Sequence, residues 1–325
     1  MADRLLLCLL LALAFVAVPT VTASATSAPS PSSQRLYWGA SGGVYSANLD
    51  GSDQRNVVST AIVPWSLDID PQANKLYWST SHPKSGIYRA NLDGSHQQFV
   101  APYSHLALRL SVDQPDNHLY WVDAYRDEIT RVELDGANPT VVFSQQIAQQ
   151  KGIVLGNVWS VEANPVDGTI FISGAIGSYS RIWKTDRNFG AFIEMASWDE
   201  NGTISPKDVA VDSATGDIYW TDEISEGLFR TTAPGVHKKI IPSGFPYYTQ
   251  GLTVDPLGRK LYWTNQNQGK LYMSNLDGTG ITQIASGYGS IQGVVVGPAV
   301  PEPATAILCS LAFLYPLAMR RSLTR

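Results

Sequence analysis

One aromatic pair recurs along this chain at a spacing that few folds accommodate. Tyr-Trp stands at 37–38, 77–78, 120–121, 219–220 and 262–263, and Phe171-Ile172 takes its place between the third and fourth. Successive pairs are 40, 43, 51, 48 and 43 residues apart, the length of one four-stranded blade in a radially repeated all-β fold. An aliphatic residue precedes each pair (Leu36, Leu76, Leu119, Ile170, Ile218, Leu261) and opens one strand. About ten residues on, another strand begins at Val44-Tyr45, Ile87-Tyr88, Ile129-Thr130, Ile182-Trp183, Leu228-Phe229 and Leu271-Tyr272. Leu-Asp-Gly follows at 49–51, 92–94, 134–136 and 276–278, with Thr185-Asp186-Arg187 and Ala233-Pro234-Gly235 in the remaining two repeats. Gly supplies a positive φ and Asp bonds its own backbone, as a tight hairpin requires. Stretches such as 98–100 and 140–143 then read as a fourth strand.

A further strand precedes each pair. Segments 65–70, 108–113, 159–164, 207–212 and 250–255 align without gaps, with alternate aliphatics such as Leu67 and Ile69, Leu110 and Val112, Leu252 and Val254. Alternation is the mark of a strand. The first repeat has no such segment, because Tyr37 follows at once on a Ser/Pro-rich stretch, 26–33. The missing strand stands at the far end, at 292–297. The expected fold is therefore all-β: a six-bladed β-propeller over 34–298, four antiparallel strands per blade, its ring closed by the C-terminal strand. Closure removes the exposed edges that invite aggregation.

Tyr-Trp-Thr-Asp at 219–222, Tyr-Trp-Val-Asp at 120–123 and Tyr-Trp-Thr-Asn at 262–265, each with its hairpin, resemble the YWTD propellers of low-density-lipoprotein-receptor class B type. Blade 1 (Tyr-Trp-Gly-Ala) and blade 4 (Phe-Ile-Ser-Gly) depart from the pattern. The mature body carries no Cys-rich module, so receptor endocytosis does not carry over. In receptor-type propellers the upper face commonly receives ligands, which the resemblance implies for this chain as well.

The ends follow other rules. Leu5 to Val18 is an unbroken apolar run, and Ala23-Ser24-Ala25 offers small residues for a signal peptidase. The run is shorter than the roughly 20 residues that span a bilayer, so 1–25 is expected to be a cleaved secretory signal. At the other end Pro301-Glu302-Pro303, an apolar run from Ala304 to Met319, and Arg320, Arg321 and Arg325 come in that order. Segment 299–325 resembles the PEP-CTERM sorting signal of bacteria that make an exopolysaccharide matrix. That resemblance implies transient processing by an exosortase-type enzyme, membrane association only before processing, and display at the surface or in the matrix of a bacterium with a Gram-negative type of envelope. The only cysteines, Cys8 and Cys309, lie in these two ends, so the body has no disulfide and no thiolate metal site. Removing the four basic and two acidic residues of the ends takes the net charge from −5 to −7. A mildly acidic body without a basic run excludes a nucleic-acid footprint.

The Tyr and Trp columns read as core, since a large aromatic recurring in every blade must pack between neighbouring sheets. The column Asp70, Asp113, Asn164, Asp212, Asp255 reads as turn-holding rather than metal-binding. At the channel level of Ser66 stand Arg109, Ser160, Asp208, Gly251 and Gly293; at that of Asp68 stand Ser111, Glu162, Ala210, Thr253 and Val295. Neither level holds three charged oxygen ligands, and His82, His96, His105, His118 and His237 show no ligand spacing. No catalytic residue, cofactor or metal is assigned. The expected ligand face is the upper one, with Tyr103, His105, Tyr125, Arg126, Trp198, Phe245, Tyr247, Tyr248 and Tyr288, joined by Asp127 and Tyr179. Aromatic and Arg enrichment marks binding hot spots, although such rings also serve as a lid over a channel. The reading is a non-enzymatic binding or adhesion module for an extracellular polysaccharide or protein. The alternatives are a secreted metal-dependent hydrolase or lyase of lactonase-like class and a matrix protein with no specific ligand.

Overall fold

The computed structural model describes residues 34–299, apart from 82, 104–106, 154–155, 177–178, 199–204 and 243–248, with the backbone alone at 176, 179 and 198. Six four-stranded antiparallel sheets make up the body. Their inner strands are Ile291–Pro298, Pro64–Asp70, Ala107–Asp113, Asn157–Ala163, Pro206–Val211 and Leu252–Asp255, blades 1 to 6 in turn. Each packs against the next, and the last against the first, around one channel. This is a six-bladed β-propeller. The far C-terminal strand completes blade 1, with Leu36 opposite Val296 and Tyr37 opposite Val295, and the Tyr37 hydroxyl donates to Pro298 O at 2.8 Å.

The aromatic pairs fill the wedges between blades. Neighbouring residues on a strand point to opposite faces, so each Trp turns to the preceding blade and each Tyr to the following one. Trp38 packs with Leu271 and Ala285 of blade 6, and Tyr37 with Leu67 and Leu76 of blade 2. Across the hairpin the Trp also meets a third-strand aromatic. Trp38 lies on Tyr45, Trp78 on Tyr88, Trp220 on Phe229 and Trp263 on Tyr272, with centroids 6.0, 5.9, 4.2 and 5.8 Å apart. Blade 4 inverts the couple, with Ile172 opposite Trp183, and blade 3 sets Thr130 opposite Trp121.

The Leu-Asp-Gly turns seat each blade on its predecessor. A Cβ on Gly94 would stand 1.6 Å from Val57 O, in the outer strand of blade 1, and one on Gly278 2.2 Å from Ile240 O in blade 5. With φ of +82° and +85°, these turns exclude side chains twice over. The Asp column holds turns as expected: Asp70 Oδ1 accepts the Gln72 and Ala73 amides, and Asp255 Oδ1 those of Leu257 and Gly258. Asp113 differs. It is followed by the 3-10 turn Gln114–Asp116, which its side chain does not cap, and it takes Arg187 of blade 4 instead, with Nη2 2.8 Å from Oδ1. A short helix, Gln145–Gln150, joins blades 3 and 4; Ser144 Oγ accepts the Ile147 amide at its start.

Candidate functional site

An inner strand has one edge without a strand partner, so its amides on that side need acceptors from elsewhere. Neighbouring blades supply them. Ser66 Oγ accepts the Leu110 amide (2.9 Å), Asp68 Oδ2 that of Val112 (2.6 Å), Ser111 Oγ that of Ala163 (2.9 Å) and Asp208 Oδ2 that of Leu252 (2.7 Å). Next to the closing strand there is no room for this device. A Cβ on Gly251 would stand 2.6 Å from Val294 N, and one on Gly293 3.0 Å from Leu67 N.

One side chain crosses the two channel levels. Arg109 is 6% exposed. Its Nη1 donates to Asp208 Oδ2 at 3.1 Å, and its Nη2 donates to Leu252 O at 3.1 Å and lies 3.6 Å from Glu162 Oε2. Asp68 feels the same guanidinium. Three carboxylates, Asp208 buried and Glu162 and Asp68 half-buried, thus face one cation. Burial disfavours their charge and pushes Glu162 up to about 8 and Asp68 up to about 6, against the lowering pull of Arg109. Asp208 is raised by the same burial, opposed by Arg109 and the Leu252 amide. Burial works against the Arg109 charge too, but Asp208, Glu162 and Asp68 together hold it protonated. Among the described residues, no three His, Cys, Asp or Glu side chains converge as a metal ion would need.

Above the cluster the channel opens into a funnel of about 170 Å³. Trp65, Leu108, Trp159, Lys207 and Gln250 line it, and they are the residues that stand first in five of the aligned inner segments. Both tryptophans are half-buried and belong to neither packing column. Lys207 Nζ sits 4.0 Å from the Trp159 ring centroid and 3.0 Å from a Glu223 oxygen. On the funnel wall, Arg109 Nε, Asp208 Oδ1 and Thr249 Oγ1 are buried without a hydrogen-bond partner among the described residues. Two indole faces, an ammonium–carboxylate pair and convergent polar atoms suit a small polar group with a flat face.

The loop residues singled out in the sequence divide. Tyr125 is 71% exposed and Arg126 is exposed beside it. Tyr103 and Tyr288 are packed rather than presented. The Tyr103 hydroxyl donates to Thr80 O and its ring joins the core between blades 2 and 3. Tyr288 lies edge-on to Trp38 and Tyr45, centroids 5.6 and 4.9 Å away, and donates to Gln54 Oε1 at 2.8 Å. Both rings fill wedges left between the twisted sheets. His105, Phe245, Tyr247, Tyr248, Pro301, Glu302, Pro303, Arg320 and Arg321 lie outside the described residues, as do the side chains of Trp198 and Tyr179. Trp65, Trp159 and the Arg109 cluster were not singled out. Their signal was the first column of the aligned inner segments and the reach of an Arg from one level to the next.

No family model matches the chain. Among solved structures it is similar to a chain in the crystal structure of a nidogen/laminin complex, with a TM-score of 0.70 at 16% identity over 82% of this chain and 100% of that one. It is also similar to TolB from Acinetobacter baumannii, with a TM-score of 0.67 at 13% identity over 84% of this chain and 69% of that one. What they share with it is the fold.

Proposed function

We propose that this chain is a secreted, non-enzymatic recognition module of YWTD-propeller type, displayed at a bacterial surface or in its matrix, and that it takes an extracellular polysaccharide or protein at its upper face. The observation that carries this reading is the channel mouth, where two tryptophans unneeded by the blade columns stand over buried, partly unpartnered polar atoms. Surplus aromatics at a concave, polar-floored mouth are the mark of a binding site. One neighbour in fold comes from a nidogen/laminin complex, a propeller-like chain in a protein–protein assembly, which fits the reading.

The test is a glycan and peptide array probed with the mature domain, then with Trp65→Ala/Trp159→Ala and with Trp198→Ala/Tyr247→Ala/Tyr248→Ala. Binding should be lost in the first variant while the protein stays folded; the second tells whether the loop aromatics extend the surface. Trp220→Ala is the contrast. Its ring is wholly buried, and the cavity should cost about 3–5 kcal/mol. Array binding that survives loss of Trp65 and Trp159 overturns the channel-mouth assignment.

The apolar N-terminal run and the Pro301–Pro303 tail support secretion and sorting. Mass spectrometry of the native protein should find no peptide from 308–320 in the surface fraction. Recovery of such peptides would mean an ordinary anchor.

A further inference from the structure

The mouth of the channel has an apolar half and a polar half. Trp65, Leu108 and Trp159 stand first in the inner segments of blades 2, 3 and 4, and Lys207 and Gln250 in those of blades 5 and 6. Both indoles are half-buried and line the funnel. Trp65 meets no other ring and no cation among the described residues, whereas the Lys207 ammonium lies 4.0 Å from the Trp159 centroid. The Gln250 amide, half-buried on the polar side, has no hydrogen bond among the described residues. Lys207 pairs with Glu223 at 3.0 Å, and both side chains stay partly exposed.

Charge and depth limit what can enter. Two ion pairs line the funnel, Arg109 with Asp208 at 3.1 Å and Lys207 with Glu223 at 3.0 Å, so both signs are present in equal number. A charged ligand of either sign would meet a like charge beside its partner, which is costly. A hydroxyl both donates and accepts, and so suits the Lys207 ammonium, the Glu223 carboxylate and the Gln250 amide alike. The funnel ends on Arg109, which is 6% exposed and reaches from blade 3 to Asp208 of blade 5 and Leu252 O of blade 6. It is a blind end, to which a long molecule can offer a tip and not a middle. Its volume of about 170 Å³ lies below the roughly 300–1,000 Å³ of sites that enclose a whole ligand, and leaves room for one ring.

On the reading of the channel mouth as the binding site, we infer that it takes the uncharged terminal sugar of a polysaccharide chain or branch. The C–H face of the pyranose lies on Trp65, as apolar surface lies on an aromatic ring, with Leu108 and Trp159 beside it. Its hydroxyls turn to Gln250 and to the Lys207–Glu223 pair, whose ionised groups strengthen the hydrogen bonds. The rest of the chain leaves through the open mouth. A ring with an apolar face and a polar edge thus matches the two halves of the site.

The mature domain is titrated by ligand-observed NMR with the methyl pyranosides of glucose, galactose, mannose, rhamnose and N-acetylglucosamine, and with the matching uronides and free amino sugars. At least one neutral pyranoside should bind with a Kd of about 1 mM or tighter. Its charged counterparts should bind about tenfold more weakly or worse. In a linear oligosaccharide of the sugar that binds, saturation should pass to the terminal residue alone; transfer to interior residues would overturn the chain-end assignment. Trp65→Ala should abolish binding. Gln250→Ala should weaken it about threefold or more, and carries the test if Trp65→Ala fails to fold. Failure of every neutral pyranoside to bind overturns the inference, as does equal binding of a charged counterpart or binding that survives Gln250→Ala and a folded Trp65→Ala. A peptide bound on the array and lost in Trp65→Ala/Trp159→Ala, with no sugar bound, would keep the mouth as a binding site and overturn the sugar alone.

Discussion

Glu162 governs the charge balance of the channel. Burial raises it to about 8 and Asp68 to about 6, whereas carboxyls in an unfolded chain titrate near 4. Between those values the folded state binds more protons than the unfolded state, so this cluster lowers stability as pH rises through the window. His118 acts in the opposite sense: burial lowers its pKa, so its contribution is present at higher pH and lost as pH falls. The informative comparison is therefore between variants. Glu162→Gln removes one half-buried carboxylate and leaves Arg109 with Asp208 and Asp68. In thermal melts from pH 5 to 8.5 it should gain on the wild type as pH rises, by roughly 4 kcal/mol at the alkaline end. A constant difference between the two proteins across that range would show that Glu162 is ionised throughout. Nothing at the level of single channel rings displayed this cluster. The Ser66 level holds Arg109 and Asp208, the Asp68 level holds Glu162, and only the length of the Arg109 side chain unites them.

Hairpin turns carry the contacts between blades, and their glycines differ in what they meet. Gly94 has a positive φ and a neighbour's carbonyl where a Cβ would go, whereas Gly235 has a positive φ with nothing within 4 Å. Gly94→Ala must push the turn off blade 1, so it should cost well over the roughly 1 kcal/mol that a left-handed alanine costs by itself. Gly235→Ala should cost about that much and no more. Equal losses of denaturation free energy would mean that the turns are not seated on their neighbours. These turns were readable beforehand, because Leu-Asp-Gly recurs in register with the aromatic pairs. So were the strands of blade 4, despite Phe171-Ile172, since Trp183 restores one ring to the wedge. The helix Gln145–Gln150 was not, because six residues after a Ser cap make too short a stretch to show a period.

The ring is closed by segments at opposite ends of the body, which is a property of the whole molecule. Six aromatic strands against five inner segments before residue 290 made the closing strand legible in the sequence, and Ile291–Pro298 is that strand. Its Ile291 and Val294 lie in the cluster shared with blade 6, and Val295 in the cluster shared with blade 2. The Ser41 amide also donates to Ser290 O at 2.9 Å. Deleting 290–298 leaves blade 1 with three strands and bares the edge of Gln34–Ala40. The three buried aliphatics contribute about 1.5–3 kcal/mol each, and a domain of roughly this size shifts by about 2–4 °C per kcal/mol. The truncated protein should melt at least about 10 °C lower, with a broader transition and a tendency to self-associate through the freed edge. Each element of that expectation follows from closure, since an open stack of blades loses the mutual support of its first and last members. A truncated domain that melted as cooperatively and as hot as the full one would show that the ring holds without its final strand.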